Sequence, residues 1–163
     1  EQTNKTGGSK VTLASELGKR LAFESGEQEA YLNVLRTADR LHADFVALFK
    51  SHGLTDAQYN VLRILRGHGE RVPTRRVGRE LVTREPDITR LVDRLEKADL
   101  VTRERCDQDR RVVWIEITAD GLALLAKLDE PVSSLHHRQL GHLGSEKLAT
   151  LSMLLCEARQ PVE

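Results

Sequence analysis

A chain of 163 residues, 39% of them hydrophobic, can build one compact core or a small module joined to an oligomerising part. Aromatic residues are only 4%, so the core must be mostly Leu, Val, Ile and Ala, which favours helices and argues against a β-sandwich. The formal net charge is zero but unevenly placed: between Arg71 and Arg111 twelve basic residues face nine acidic ones, while the rest carries thirteen basic and sixteen acidic residues, so the middle is oriented towards a polyanion.

In chain order, EQTNKTGGSK (residues 1–10) is polar and Gly-rich and is expected to be disordered. Leu13, Leu17 and Leu21 fall at helical spacing, which predicts a short helix within Val11–Phe23 ended near Ser25-Gly26. A long helix follows from about Glu27 to Ser51. Tyr31, Leu32, Leu35, Ala38, Leu41, Phe45, Leu48 and Phe49 form its apolar stripe, and Gly53 is placed to end it. Such a stripe outruns one small domain, so part of it is expected to face a second subunit.

Thr55-Asp56-Ala57-Gln58 has the form of a capping box opening a helix that buries Tyr59, Leu62 and Leu65 and stops at Gly67-His68-Gly69. Residues 70–73 read as a loop or a short bridging strand. Thr74 is expected to cap a short helix with Val77 and Leu81 inward. Four residues later Pro86 suits a first helical position, where a missing N–H costs nothing, and Ile88, Leu91, Val92 and Leu95 recur at i, i+3, i+4 and i+7. This is the spacing of a helix-turn-helix with its second helix over 86–98. Asp99 is expected in the left-handed position that Gly more often fills.

Val101–Arg105 and Val112–Ile117 read as the strands of a two-stranded ribbon with a polar tip between them. Thr118 is expected to cap a long helix with Leu122, Leu125, Leu128, Val132 and Leu135 inward and Pro131 bending it. After a turn at 141–144, Ser145 is expected to cap a last helix bearing Leu148, Leu151, Leu154 and Leu155.

The chemistry lies in the middle. The outer face of the second short helix carries Asp87, Thr89, Arg90, Asp93, Arg94 and Lys97, and Arg103, Arg105, Arg110 and Arg111 bracket the ribbon's tip. A basic helix beside a basic hairpin is the footprint of a nucleic-acid reader. Taken alone, a charged helix face is more often merely solvated, and it is the combination with the hairpin that points to DNA. Asp87 has two readings, a dipole-favoured acid at a helix start or a base contact.

The order of motifs resembles the MarR family of winged helix-turn-helix regulators, from about Glu29 to Leu155. Gly53-Leu54-Thr55-x-x-Gln58-Tyr59 opens the module, Pro86-x-Ile88-Thr89-Arg90-Leu91-Val92-Asp93-Arg94-Leu95-Glu96 resembles the recognition helix, and Asp107-x-Asp109-Arg110-Arg111 with Ile117-Thr118-x-x-Gly121 resembles the wing and its exit. Asp99 departs from the usual Gly, and the stretch before Glu27 exceeds the family core. The resemblance implies a mostly α fold with a small β-hairpin wing. An N-terminal extension (1–26), a dimerisation helix (27–53), the winged module (54–118) and C-terminal dimerisation helices (119–163) would follow one another. It further implies a cytoplasmic homodimer acting as a repressor, with two recognition helices in successive major grooves of a pseudo-palindromic double-stranded DNA operator and the wings in the minor grooves.

Within that arrangement Thr89 and Arg90 are placed for base edges, Arg94 for a base or a phosphate, and Arg75, Arg76 and Arg84 for phosphates. Arg110 suits minor-groove insertion. Asp107, Asp109 and Arg111 belong to the wing, with Asp109 expected to pair with an Arg of the module and Arg111 counted with the DNA-facing residues as well. Many relatives bind a small aromatic or phenolic anion between dimer layer and module, and Tyr31, His42, Tyr59, Arg63 and Trp114 are the residues offered for that pocket, each with an ordinary packing or surface explanation too.

Other chemistries find little support. No Gly-rich phosphate loop or nucleophile elbow is present, so the chain reads as a non-enzyme needing no cofactor. His136, His137 and His142 lack the spacing of a metal site and read as surface histidines. No run of about 18 apolar residues occurs, which excludes a membrane-spanning helix, and no signal peptide pattern is visible. Cys106 and Cys156 read as reduced cytosolic thiols, with one open alternative, a redox-responsive regulator in which nearby arginines lower the Cys106 pKa. The other is a winged-helix module binding a protein, against which the wing arginines argue.

Overall fold

The computed structural model describes residues 11–160, so the expectation of disorder for residues 1–10 lies outside the described residues. The chain divides into two compact units, with the boundary between Ala43 and Asp44. The first contains α1 (Leu13–Glu16) and most of α2 (Gly26–Ser51). The short helix is one turn rather than the longer segment expected. Thr12 and Ser15 exchange capping hydrogen bonds at 3.1 and 3.3 Å, but Gly18 turns left-handed (φ 61°) and ends the element. Arg36 of α2 lies 3.5 Å from Glu16 of α1, and on α2 Tyr31, Val34 and Leu35 remain exposed.

The second unit starts with the last turns of α2, because Phe45, Leu48 and Phe49 pack into its core. Gly53 (φ 74°) releases the chain, and α3 (Asp56–His68) opens as expected. The Gln58 N–H donates to Thr55 Oγ1 at 3.2 Å and the Thr55 N–H to Gln58 Oε1 at 2.8 Å. Of the two readings for 70–73 the strand is realised: β1 (Val72–Pro73) pairs antiparallel with β3 (Val113–Ile117), which pairs on its other edge with β2 (Val101–Arg105). The ribbon is therefore the outer part of a three-stranded sheet in the order β1-β3-β2.

Helices α4 (Thr74–Glu80) and α5 (Ile88–Lys97) pack on this sheet, followed by α6 (Ala119–Leu140), a 3-10 turn (Gly141–Leu143) and α7 (Gly144–Glu157). Leu62, Leu65, Val77, Val92, Leu95, Ile115, Leu125 and Leu128 are all but sealed from solvent. Together they bring α3, α4, α5, β3 and α6 onto one core. The expected inward row of α6 needs one correction: the buried arc runs through Gly121, Leu125, Leu128, Val132 and Leu135, and Leu122, a helical step off it, is 43% exposed. The helix continues through Pro131, which withholds one N–H from the ladder.

Two expected caps are not caps. Thr74 is the first helical residue of α4, its hydroxyl donating to Val113 O at 3.0 Å, so it ties helix to wing. Ser145 lies inside the first turn of α7, which begins at Gly144 without a side-chain cap. Asp99 does take the left-handed position (φ 57°), and its carbonyl accepts from Thr118 Oγ1 at 2.7 Å. Thr118 Oγ1 in turn caps α6 by accepting from the Gly121 N–H at 3.1 Å.

Candidate nucleic-acid interface

Helix α5 begins at Ile88, two residues later than the expected start at Pro86, and ends at Lys97 rather than 98. The reason is a cap. Asp87 Oδ1 accepts the Arg90 N–H at 2.9 Å, which fixes Asp87 outside the helix and leaves Pro86 in the preceding turn. Of the two readings of Asp87, the helix-start role is the one its geometry realises. Leu91, Val92 and Leu95 are buried, and the Ile88 side chain lies against Gly78, where an added Cβ would stand 3.7 Å away. The inward face being fully used, Thr89, Arg90, Arg94 and Lys97 are forced outward, all exposed. Among the described residues neither the Arg90 nor the Arg94 guanidinium has an ion-pair partner.

The supporting basic residues divide. Arg76 is engaged within α4, its Nε 2.9 Å from Glu80 Oε1, while the other oxygen of Glu80 lies 2.7 Å from His68 Nε2 at the end of α3. These two partners, His68 first, hold the Glu80 carboxyl below the usual carboxylate range. Arg84 is exposed in the α4–α5 connection, and Arg75 is exposed at the start of α4. Arg75, Thr89, Arg103 and Arg111 line a cleft of about 380 Å³ between α4, α5 and the wing. Two of its cations, Arg75 and Arg111, have no acidic partner among the described residues, which suits a phosphate.

The wing is closed by backbone bonds: the Cys106 N–H donates to Val112 O at 3.0 Å and the Val112 N–H to Asp109 O at 2.9 Å. Asp109 Oδ1 accepts the Arg111 N–H at 2.9 Å. The expected pairing of Asp109 with an Arg of the module is therefore not what the structure has; its carboxylate is spent on the turn, two residues away. Asp107 is exposed and accepts no side-chain hydrogen bond among the described residues, whereas Arg110 and Arg111 project from the tip into solvent. The Cys106 thiol is held below its ordinary pKa, but the cause is not the arginines: the N–H groups of Asp109 and Gln108 in this turn stabilise the thiolate, with a smaller part from Trp114.

One residue of the interface was counted in the sequence without its role. Arg103 Nε donates to Glu96 Oε2 at 2.8 Å, and its two terminal nitrogens reach Glu96 Oε2 and Asp93 Oδ1. The Glu96 bond is the main reason its guanidinium is held above its ordinary pKa. The signal was there in two periodicities. Asp93 and Glu96 are i, i+3 on the recognition helix, and Arg103 is two residues from buried Val101, hence on the helix-facing side of β2.

The five residues offered for an effector pocket divide between the two units. Tyr31 and His42 belong to the first unit. In the second, Tyr59 is a core residue stacked on Phe49 at 4.1 Å, Arg63 lies 3.7 Å from Asp129, and Trp114 packs under the Arg71 guanidinium, 5.3 Å from its ring centre. A cleft of about 760 Å³ in this unit lies elsewhere: Val46, Leu54, Ala57 and Leu91 line it with Lys50, Arg90 and Arg94 and with Asp56, Glu85 and Asp87. Among the described residues no group of His, Cys, Asp and Glu is arranged to hold a metal ion, and no helix is long and apolar enough to cross a membrane.

Comparison with known proteins decides the family. Residues 52–112 match the model of the MarR family. A MarR transcription factor from Planctomyces limnophilus, known from its crystal structure, is 45% identical, with a TM-score of 0.65 over 82% of this chain and 98% of that one. The chain belongs to the MarR family. It is a DNA-binding transcriptional regulator with that family's winged helix-turn-helix fold. The HTH-type transcriptional regulator FarR of Neisseria gonorrhoeae is 27% identical over 77% of this chain and 86% of its own length. NadR, whose crystal structure holds 4-hydroxyphenylacetate, is 26% identical with a TM-score of 0.67 over 85% of this chain and 97% of that one. FarR and the Planctomyces limnophilus protein both carry names of transcriptional regulators.

Proposed function

We propose that this MarR regulator is a homodimeric repressor that reads a pseudo-palindromic operator. In this reading α5 lies in the major groove and the Arg110 tip in the minor groove. The observation that carries it is the division of α5, whose apolar face is consumed by the core while Thr89, Arg90 and Arg94 are left outward beside a wing that ends in Arg110 and Arg111. Arg90 near the helix start would meet a guanine, Arg75, Arg84 and Arg94 the phosphates, and Arg76 would join them on leaving Glu80. Asp87 serves the helix as its cap, and Asp109 shapes the wing that Arg110 and Arg111 present; Asp107 keeps an exposed place at its base.

The dimer reading is supported by apolar side chains that each unit leaves uncovered by itself. No residue of α7 is buried, with Leu151, Met153 and Leu154 exposed, and the first unit exposes Tyr31, Val34 and Leu35. The segments 27–53 and 119–163 would supply that dimer layer, preceded by an extension over 1–26, with 54–118 as the reader. Hydroxyl-radical footprinting upstream of the protein's own gene tests the arrangement. Two protected patches about one helical turn, roughly 34 Å, apart on a dimer are expected. A single patch, or a complex containing one protomer, would contradict it.

Release by a small aromatic acid is the second part of the proposal, supported by the NadR neighbour and its bound 4-hydroxyphenylacetate. A ligand weakens DNA binding only through its preference for the incompatible conformation. Tyr31, His42, Tyr59, Arg63 and Trp114 remain the sequence-based candidates; the cleft lined by Lys50, Arg90 and Arg94 also carries Asp56, Glu85 and Asp87, so its charge does not single it out for an anion. Titration with 4-hydroxyphenylacetate is expected to raise thermal stability and lower operator affinity together. No change in either would remove aromatic acids of this kind from consideration.

A further inference from the structure

We propose that Arg103 is a positioning residue for DNA binding: it touches no DNA itself, but clamps the recognition helix to the wing through Asp93 and Glu96. The inference rests on the reading of α5 as the DNA-facing helix.

The clamp spans the two elements that must engage the duplex together. Val92 and Leu95 are buried, so the interior fixes one side of α5. On the other side of these residues the apolar contact runs out, and Arg103 takes over. It stands on the same face of β2 as buried Val101 and opposite Ile115 in the sheet register. Its planar fork then meets a carboxylate at two successive positions along the helix, Asp93 and Glu96, with Nε and one terminal nitrogen sharing Glu96 Oε2. A fork held at three points restrains rotation of α5 about its axis and its distance from the wing, which a point charge does not.

Charge gives the clamp a second effect. Two carboxylates on the recognition helix, placed one turn apart, would repel phosphates wherever α5 enters the groove. Arg103 is committed to them, its side chain only 30% exposed, and the three groups together carry one negative charge instead of two. The cations left for DNA in this cleft are Arg75 and Arg111. Arg103 therefore contributes to specificity, through the angle of Thr89 and Arg90, rather than to the count of neutralised phosphates.

That distinction is measurable. Affinity of Arg103→Lys and Arg103→Ala is compared with wild type on the operator and on a scrambled duplex, across a salt series, with thermal melting to confirm folding. Arg90→Ala is run beside them as the check on the underlying reading, and Arg75→Ala as a phosphate-contact reference. Both Arg103 variants are expected to lose about tenfold on the operator, the size of one good base contact. The lysine variant, which keeps the charge and loses the fork, should also keep the wild-type salt slope, whereas Arg75→Ala should reduce it by about 0.9.

Glu96→Gln gives a second, milder test. By weakening the hold on Arg103 and removing one carboxylate charge it should tighten binding to the scrambled duplex and shrink the ratio of operator to scrambled affinity, which loss of folding alone would not do. If Arg103→Lys binds the operator as wild type does, or if Arg103→Ala lowers the salt slope as Arg75→Ala does, Arg103 is not a clamp of this kind. If Arg90→Ala is silent as well, it is the placement of α5 that fails, and the inference falls with it.

Discussion

Gly121→Ala is the substitution whose outcome the packing fixes most tightly. An added Cβ at Gly121 would stand 2.4 Å from Leu100 O and 2.7 Å from Ile117 Cγ1, where neither the backbone carbonyl nor the strand end can yield cheaply. Leu100 O also accepts the Thr118 N–H at 3.1 Å, and Thr118 Oγ1 caps the helix at Gly121. Relieving the clash means moving the first turn of α6 outward and stretching both bonds. Replacing Gly by Ala in a helix would by itself gain at most about 1 kcal/mol. Overpacking against a fixed wall costs about 1–3 kcal/mol, and a weakened cap and backbone bond add about 1 kcal/mol, so the net is a loss of about 1–3 kcal/mol. Urea unfolding should show a lower midpoint at unchanged slope. Gly67→Ala, near the end of α3, meets nothing within 4 Å and should be neutral or slightly stabilising. Equal midpoints for wild type and Gly121→Ala would refute the close approach.

Two further outcomes follow from the hydrogen-bond geometry. Thr55→Ala breaks the reciprocal cap with Gln58 and should destabilise the protein by about 1 kcal/mol in urea, with Thr55→Ser close to wild type; an alanine variant as stable as wild type would count against the box. Asp129 takes two bonds from Arg66, at 2.8 and 2.7 Å, and this pairing holds its carboxyl below the usual range. A depressed folded-state pKa stabilises fully above the unfolded value of about 3.9 and is lost as pH falls through the folded one. The stability difference between wild type and Asp129→Asn should accordingly shrink as pH drops from 5 towards 2, and a difference constant over that range would mean that the pair does not stabilise the fold.

The sequence read this fold well where local rules and tertiary packing agree. Thr55-x-x-Gln58, the left-handed Asp99, the Thr118 cap and the buried Leu91, Val92 and Leu95 were all legible because each is set within a few residues. Thr74 and Ser145 look like caps by composition alone. What decides against them is elsewhere: a carbonyl of β3 claims the Thr74 hydroxyl, and α7 begins one residue earlier at Gly144. Pro86 and Asp87 were both acceptable helix starts, and only the bond from Arg90 N–H chooses between them.

The site was legible in its residue types and less so in its pairings. That Thr89, Arg90 and Arg94 face outward follows from helical period once the apolar face is known. Which arginines are committed to acids does not follow. Arg76 meets Glu80 four residues on, Arg103 meets acids seven and ten residues back across a turn, and Asp109 turns to its own backbone. Tyr59 and Trp114 show the same gap, since an aromatic side chain fit for a ligand is equally fit for stacking on Phe49 or under Arg71.

The most direct test of the account is operator affinity by fluorescence anisotropy, with DNA upstream of the protein's own gene and a scrambled duplex at two salt concentrations, for wild type, Arg90→Ala and Arg110→Ala. The account predicts tight, salt-sensitive binding to the operator that each substitution weakens by about 1–3 kcal/mol while the fold stays intact. Full operator affinity in both variants would contradict the placement of α5 and of the wing on DNA.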